Sequence, residues 1–164
     1  MIKIRALVLS ALVSTTLMAE IKPYVGAGFG LMATPDYSGA KNAIGMTLKA
    51  GATGFIEEMQ GIGVLFELNK SLTDLSSHKN AKDALTFGGY ISYDIVVPNS
   101  SFAIRPKFGI IIPNASDEIN SRDLTFSSGI GGKIGLNEQV DIYVDYVVLG
   151  EMVTHYSAGV EFKF

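Results

Sequence analysis

The stretch YSAGVEFKF, residues 156–164, decides the fold of this chain. Its apolar members stand at every second position: Tyr156, Ala158, Val160, Phe162 and Phe164. A period of two indicates a β-strand with one apolar face. Chain ends are usually polar and poorly ordered, whereas this chain ends on its cleanest apolar stripe. We therefore predict that the last nine residues form a strand paired within a sheet.

The same alternation recurs seven times upstream. These segments are 24–32, 44–55, 63–72, 85–95, 102–110, 124–136 and 140–148. Their lengths exceed the usual strand length of about 5–6 residues and match the roughly 9–11 residues that a tilted strand needs to cross a bilayer. Pro106 lies inside the fifth segment, and proline removes a donor from the hydrogen-bond ladder of a sheet.

The connections between these segments alternate in length. Long polar connections follow the first, third and fifth segments, at 34–42, 73–84 and 113–123, and short ones lie at 57–61, 98–101 and 137–139. The brief connection near 150–152 is the exception. Membrane barrels have long loops at one end and short turns at the other. An even strand count then places both chain ends on the short-turn side.

The two faces of the predicted strands differ in chemistry. One carries Leu, Ile, Val and Phe, and the other carries glycine, small polar residues, and five basic and five acidic groups. Eight strands enclose a space that side chains just fill, and balanced charges can pair there, which avoids the cost of unpaired buried charge. We predict an all-β, eight-stranded antiparallel up-and-down transmembrane β-barrel. Its predicted lumen charge network is Lys49, Glu67, Asp94, Arg105, Lys107, Lys133, Asp141, Asp145 and Glu161, and Lys163 shares their face.

The N-terminus has the pattern of a secretory signal. Lys3 and Arg5 precede an apolar run at 6–17, and residues 17–19 approximate a small-x-small cleavage site. We predict a signal peptide at 1–19 and a barrel domain at 20–164, with export from a bacterial cytoplasm. Loss of the two leader cations changes the formal net charge from −3 to −5. A mildly acidic chain argues against binding of nucleic acid.

The residues offer little material for metal or cofactor chemistry. The chain has no cysteine and two histidines, so we predict no metal site and no cofactor. His155, Ser157 and Glu161 share one face of the last strand, and a serine, a histidine and a carboxylate can form a nucleophilic constellation. The strand parity nevertheless points His155 and Ser157 into the lumen, away from any lipid substrate. We therefore interpret His155 as lumen-lining.

Over residues 20–164 the chain resembles the small OmpA/OmpX-type outer-membrane β-barrels, in its leader, its eight alternating segments, its loop lengths and its aromatic C-terminus. The stretch PYVGAGFG, residues 23–30, is similar to the first strand of many such proteins. The resemblance implies that Tyr156, Val160, Phe162 and Phe164 are read as a signal by the barrel-assembly machinery. It further implies a monomer in the bacterial outer membrane, in contact with outer-membrane lipids and lipopolysaccharide.

The favoured role is structural or surface-interacting, with no catalysis. A narrow channel is an alternative, although eight strands normally leave no pore. A less favoured alternative is a lipid A-modifying hydrolase that uses His155 and Ser157, because their H-x-S spacing is similar to that of outer-membrane lipid A deacylases. The carboxylate of those enzymes lies further along the chain, beyond the position of Phe164. A soluble, lipocalin-like periplasmic barrel is the remaining alternative. The basic stretch SHKNAKD, residues 77–83, could contact lipopolysaccharide phosphates.

Overall fold

The computed structural model describes residues 21–33, 42–74, 84–115, 124–149 and 153–164. The predicted signal peptide at 1–19 and the basic stretch at 77–83 lie outside these residues, so both stay predictions. Within the described part of the chain, no helix is long and apolar enough to cross a membrane.

Nine strand segments and one short 3-10 turn make up the described structure. The strands are β1 Lys22–Ala33, β2 Ala43–Thr53, β3 Ile62–Ser71, β4 Ala84–Tyr93, β5 Ile95–Val96, β6 Phe102–Ala115, β7 Thr125–Gly135, β8 Val140–Leu149 and β9 Val153–Lys163, and the 3-10 turn is Glu57–Met59. Every pairing is antiparallel. The paired strands are consecutive in the chain, except β4 with β6 and the closing pair, β1 with β9. Since β4 and β5 both pair with β6, they are two parts of one barrel strand. The predicted eight-stranded antiparallel barrel is confirmed.

The C-terminal stretch closes the barrel. The ladder between β1 and β9 runs from Tyr24↔Lys163 to Ala33↔Thr154. The backbone N–H of Phe164 donates to the Pro23 carbonyl at 3.0 Å. An open strand edge would leave backbone groups unsatisfied in hydrocarbon, and this ladder removes that edge up to the last residue.

The faces of the barrel are inverted relative to a soluble protein. Outward-pointing Phe29, Phe126 and Ile91 are 66%, 67% and 58% exposed, while inward-pointing Glu67 and Lys107 are each 1% exposed. Water would be a poor solvent for the apolar outer surface, since burial of apolar area contributes about 25 cal/mol per Å². Hydrocarbon is a suitable one, and the barrel is therefore a transmembrane barrel.

The fourth predicted segment, 85–95, is not continuous. The β4–β6 ladder ends at Ser92↔Lys107, and the β5–β6 ladder resumes at Ile95↔Ile104. Pro106 lies on β6 opposite this gap. It pairs with Ile130 on β7 and has no partner on the side of β4 and β5. The missing N–H of proline thus falls where the neighbouring strand is interrupted. The register with β6 is the same on both sides of the gap, so Asp94 keeps the inward parity of β4 and its side chain lies in the lumen.

Other strand bounds also differ from the prediction. β2 ends at Thr53 because Gly54 adopts a left-handed backbone, with φ of 84°, and its N–H donates to the Ile62 carbonyl at 3.1 Å. This φ favours glycine, so Phe55 lies in the turn. β6 continues beyond the predicted end at 110. β9 begins before the predicted start at 156, which places His155 within the strand.

Candidate functional site

Ten charged side chains meet inside the barrel because strand alternation points all of them inward. They come from seven of the eight barrel strands, including the interruption at Asp94. Two pairs are direct cross-strand neighbours, Lys49↔Glu67 and Asp141↔Glu161. The ten are Lys49, Glu67, Asp94, Arg105, Lys107, Lys133, Asp141, Asp145, Glu161 and Lys163.

The first half of this cluster crosses the lumen from β3 to β9. Lys107 is paired with Glu67 on one side and lies 2.9 Å from Asp145 Oδ2 on the other. Asp145 Oδ2 also accepts from Lys49 Nζ at 2.7 Å. Lys49 Nζ in turn lies 3.4 Å from Glu161 Oε1. Each charge therefore lies between two charges of the opposite sign, except Glu67 at the end.

The second half leads from Glu161 to the short-turn end. Arg105 donates from Nη1 to Glu161 Oε1 at 2.8 Å, and from Nε and Nη2 to the two carboxylate oxygens of Asp94 at 2.5 and 3.1 Å. Lys133 Nζ bridges Asp94 Oδ2 at 2.5 Å and Asp141 Oδ2 at 3.6 Å.

Lys163 completes the series, since its Nζ lies 2.7 Å from Asp141 Oδ1. Among the described residues, these ion pairs form one unbranched series that alternates in sign and has no net charge. We call it the ion-pair chain. Desolvation of an ion costs several kcal/mol, and breaking a buried pair leaves that cost uncompensated. The alternation gives each buried ion a counter-charge.

Three lumen tyrosines pack against the cations of the ion-pair chain. Lys49 Nζ lies 3.3 Å from the ring centroid of Tyr143, the Arg105 guanidinium 4.7 Å from that of Tyr24, and Lys107 Nζ 5.4 Å from that of Tyr90. Cation–π contacts of this kind contribute about 0.5–2 kcal/mol each. The tyrosines thus fill the narrow lumen and stabilise its cations.

Glycines opposite the tyrosines make room for the rings. Tyr24 is the cross-strand neighbour of Gly51, and Tyr143 is that of Gly159. A Cβ on Gly51 would lie 2.6 Å from the Tyr24 hydroxyl, and one on Gly159 would lie 2.7 Å from the Tyr143 hydroxyl. Small residues on one strand therefore accommodate large ones on the next.

Neutral polar groups occupy the part of the lumen nearer the long connections. Thr47 Oγ1 donates to Asn69 Oδ1 at 2.7 Å and lies 3.5 Å from His155 Nδ1. Met32 and Ala43 pack beyond them at the ends of β1 and β2. The lumen thus divides into a charged part towards the short turns and a neutral part towards the long connections.

A cavity of about 620 Å³ opens at the short-turn end of the barrel. Asp94, Lys133, Asp141, Glu161 and Lys163 contribute to its wall. The side chains of Lys133 and Lys163 are 17% and 29% exposed, whereas those of Lys49 and Lys107 are fully buried. Water therefore reaches only the terminal members of the ion-pair chain from this side.

The structure places all nine residues of the predicted network in the ion-pair chain. Lys163, which the strand parity assigned to the same face, extends the chain at its water-exposed end. The contribution of Tyr24, Tyr90 and Tyr143 was missed. Their inward parity among glycines was the signal that could have revealed them.

The predicted assembly residues lie on the outer surface of the last strand. Phe164 is 78% exposed, and Phe162 and Tyr156 are about half exposed. The Tyr156 ring packs on that of Tyr146 with centroids 4.9 Å apart. The stripe is thus presented outward, where lipid or another protein can contact it.

His155 and Ser157, the pair considered for hydrolysis, both point into the lumen and are 1% and 6% exposed. His155 Nδ1 contacts Thr47. Glu161 Oε1 is engaged by Arg105 and Lys49, so it does not orient the histidine. No group of three or more His, Cys, Asp or Glu residues in the described ranges could hold a metal ion.

The fold and the lumen define a small transmembrane β-barrel with a filled, charge-balanced interior. Its solved structural neighbours include Ail, the attachment invasion locus protein of Yersinia pestis, at TM-score 0.60 and 14% identity over 88% of this chain and 99% of that one. The N-terminal β-barrel domain of Pseudomonas aeruginosa OprF matches at 0.56 and 15%, covering 90% and 100%. Neisserial surface protein A matches at 0.55 and 15%, covering 89% and 99%.

The chain therefore has the fold of the small eight-stranded outer-membrane β-barrels, and this recognition from the sequence is confirmed. No protein-family profile and no curated protein matches the sequence.

Proposed function

We propose that this protein is a bacterial outer-membrane barrel with a structural or surface-interaction role and no catalytic one. The observation that carries the proposal is the ion-pair chain, which fills the charged part of the lumen while the outer surface is apolar. Beyond the cavity at the short-turn end, mutually paired charges and three tyrosines occupy the charged part of the lumen. The functional surface is then the outside of the barrel and its long connections.

The proposed location follows from the inverted faces and from the N-terminal sequence. After export, the apolar surface would contact outer-membrane lipids and lipopolysaccharide, and the exposed aromatic stripe of β9 would be read by the barrel-assembly machinery. The barrel would act as a monomer. Separation of inner and outer membranes tests the location: the protein should partition with the outer membrane and migrate differently on a gel before and after boiling. Recovery in the soluble periplasmic fraction would contradict the proposal.

The surface-interaction role rests on the long connections, where Lys79 and Lys82 supply positive charge. Binding of purified lipopolysaccharide to the refolded barrel tests it. The variant Lys79→Gln/Lys82→Gln should bind more weakly, with a smaller dependence on salt. The matched control Lys22→Gln, on the short-turn side, should bind as the wild type does. Equal binding by the wild type and both variants would show that these two lysines do not bind lipopolysaccharide, and the structural role would then be favoured.

A narrow channel is the second candidate, and the cavity at the short-turn end favours it. The ion-pair chain opposes it, because a permeating ion would have to displace paired charges in a low dielectric, where such pairs interact strongly. Single-channel recording in planar bilayers should show no discrete conductance for the wild type. Reproducible conductance steps that change in Lys107→Met would favour the channel instead.

A further inference from the structure

A small gap separates two potential metal ligands in the neutral part of the lumen. Met32 on β1 and His155 on β9 are direct cross-strand neighbours, and both are essentially inaccessible to water. Gly45 on β2 contributes no side chain beside them. A Cβ built on Gly45 would lie 3.1 Å from Met32 Cγ and 3.2 Å from His155 Nε2. The thioether side chain and the imidazole therefore flank the same space.

Hydrogen bonds determine which nitrogen of His155 carries the proton. Asn69 Oδ1 can only accept, so at 2.7 Å the Thr47 hydroxyl donates its single proton to it. Thr47 Oγ1 then accepts from His155 Nδ1 at 3.5 Å. In the tautomer that carries its proton on Nδ1, which makes this contact a hydrogen bond, Nε2 presents a lone pair. This buried Nε2 has no hydrogen-bond partner among the described residues, which is unusual for a buried polar atom.

We propose that His155 Nε2 and Met32 Sδ bind a soft monovalent metal ion, of the class of Cu⁺. Thioether sulfur selects soft ions, and imidazole nitrogen is also a copper ligand. A ligating histidine usually donates its other ring N–H to a second group, which fixes the tautomer, and Thr47 supplies that group here. Methionine has three rotatable bonds, so rotation of the Met32 side chain is the adjustment that would aim Sδ at Nε2.

The surrounding charges favour a monovalent ion over a divalent one. The charged groups that act on His155 are Lys107, Lys49 and Asp145. They are already paired with one another, and both proposed ligands are neutral. A second positive charge would therefore meet no counter-charge in the gap, and an uncompensated buried charge is costly. A soft ion of charge +1 carries the smallest such cost.

Titration of the full-length barrel, refolded in detergent, with Ag⁺ tests the site, since Ag⁺ is soft, monovalent and stable in air. The wild type should bind one equivalent with shifts in the NMR signals of the Met32 methyl and the His155 ring nitrogens. Met32→Leu, which conserves volume, and His155→Gln should each lose this binding. Thr47→Val should weaken it by about tenfold, as expected for loss of a group that orients a ligand.

Met59→Leu and His78→Gln are the matched controls, because they remove the same ligand types elsewhere in the chain and should leave this binding unchanged. Migration of unboiled samples reports whether each variant has folded. Should Met32→Leu fail to fold, the NMR signals of the wild type still decide. Absence of Ag⁺ binding, binding that leaves the Met32 and His155 signals unmoved, or full affinity in Met32→Leu would overturn the proposal.

Discussion

Arg105 Nη1 lies 2.8 Å from Glu161 Oε1, and this contact joins the two halves of the ion-pair chain. The half that ends at Glu161 holds three carboxylates and two lysines, whereas the half that begins at Arg105 holds three cations and two carboxylates. Each half alone carries one unbalanced charge of opposite sign. The contact between Arg105 and Glu161 therefore joins a half with one excess negative charge to a half with one excess positive charge, and the ion-pair chain as a whole is neutral.

Removal of one charge from this pair should strongly destabilise the barrel. Glu161→Gln keeps the side-chain shape but leaves the ion-pair chain with one unbalanced positive charge. We expect a loss of about 3–5 kcal/mol of unfolding free energy, the usual result of breaking a buried pair from one side, measured by urea unfolding in lipid vesicles. Glu138→Gln, in an exposed turn, should change stability by less than about 0.5 kcal/mol.

The double variant Arg105→Met/Glu161→Gln is the sharper test of the balance. It removes one charge from each half and leaves two neutral halves. It should therefore be more stable than Glu161→Gln alone. A double variant that loses the sum of the two single losses would show that the charges act independently.

Position along the ion-pair chain should determine how much a lysine contributes. Lys107 is fully buried, and Glu67 has no other ion pair in the described structure, whereas Lys163 is partly exposed and Asp141 keeps Lys133. Lys107→Met should cost about 3–5 kcal/mol, and Lys163→Met no more than about 1 kcal/mol. Chemical unfolding of both variants at one salt concentration measures the difference. Similar losses would contradict the assignment of Lys163 to the water-exposed end.

Adjacent glycines on β4 provide a matched test of lumen packing. A Cβ on inward-facing Gly88 would lie 2.7 Å from Tyr90 Cε2 and 2.9 Å from Ile111 Cγ2, while one on outward-facing Gly89 would approach only Phe66, at 3.6 Å. Gly88→Ala should lose about 1–3 kcal/mol through overpacking. Gly89→Ala should be neutral or slightly stabilising, because alanine restricts the unfolded chain. Ile111→Ala removes Cγ2, so it should cost less stability in the Gly88→Ala background than in the wild type. Equal costs in the two backgrounds would contradict the contact.

Strand alternation was sufficient to predict the fold and the residues that point inward, because a period of two determines the side of a strand on which each residue lies. It could not predict which charges pair. Lys49 and Glu67 are cross-strand neighbours, yet Lys49 reaches Asp145 on β8 and Glu67 pairs with Lys107 on β6. Such pairings cross the narrow lumen and depend on the stagger of the closed barrel, which no single strand contains.

The alternation pattern also could not predict that the strand is interrupted at Asp94. Its neighbour Tyr93 keeps the outward parity of β4, so the pattern reads as continuous. The signal was Pro106, one strand away in space, whose missing donor requires a gap in the neighbouring ladder or an edge. A local pattern in the sequence does not reveal that these residues meet until the register is known.

Loss of the Phe164 side chain should impair assembly into the outer membrane more than loss of any side chain in the neutral part of the lumen. Phe164→Ala retains the backbone hydrogen bond to the Pro23 carbonyl and removes only the outward ring, so a loss of assembly reports recognition of the side chain. The fraction of the protein that reaches the outer membrane and changes its gel migration on boiling should fall sharply. Phe126→Ala, which removes an equally outward ring from β7, and His155→Ala, inside the lumen, should retain most of it. Comparable losses in all three variants would indicate general destabilisation and would contradict the role of the C-terminal stripe as an assembly signal.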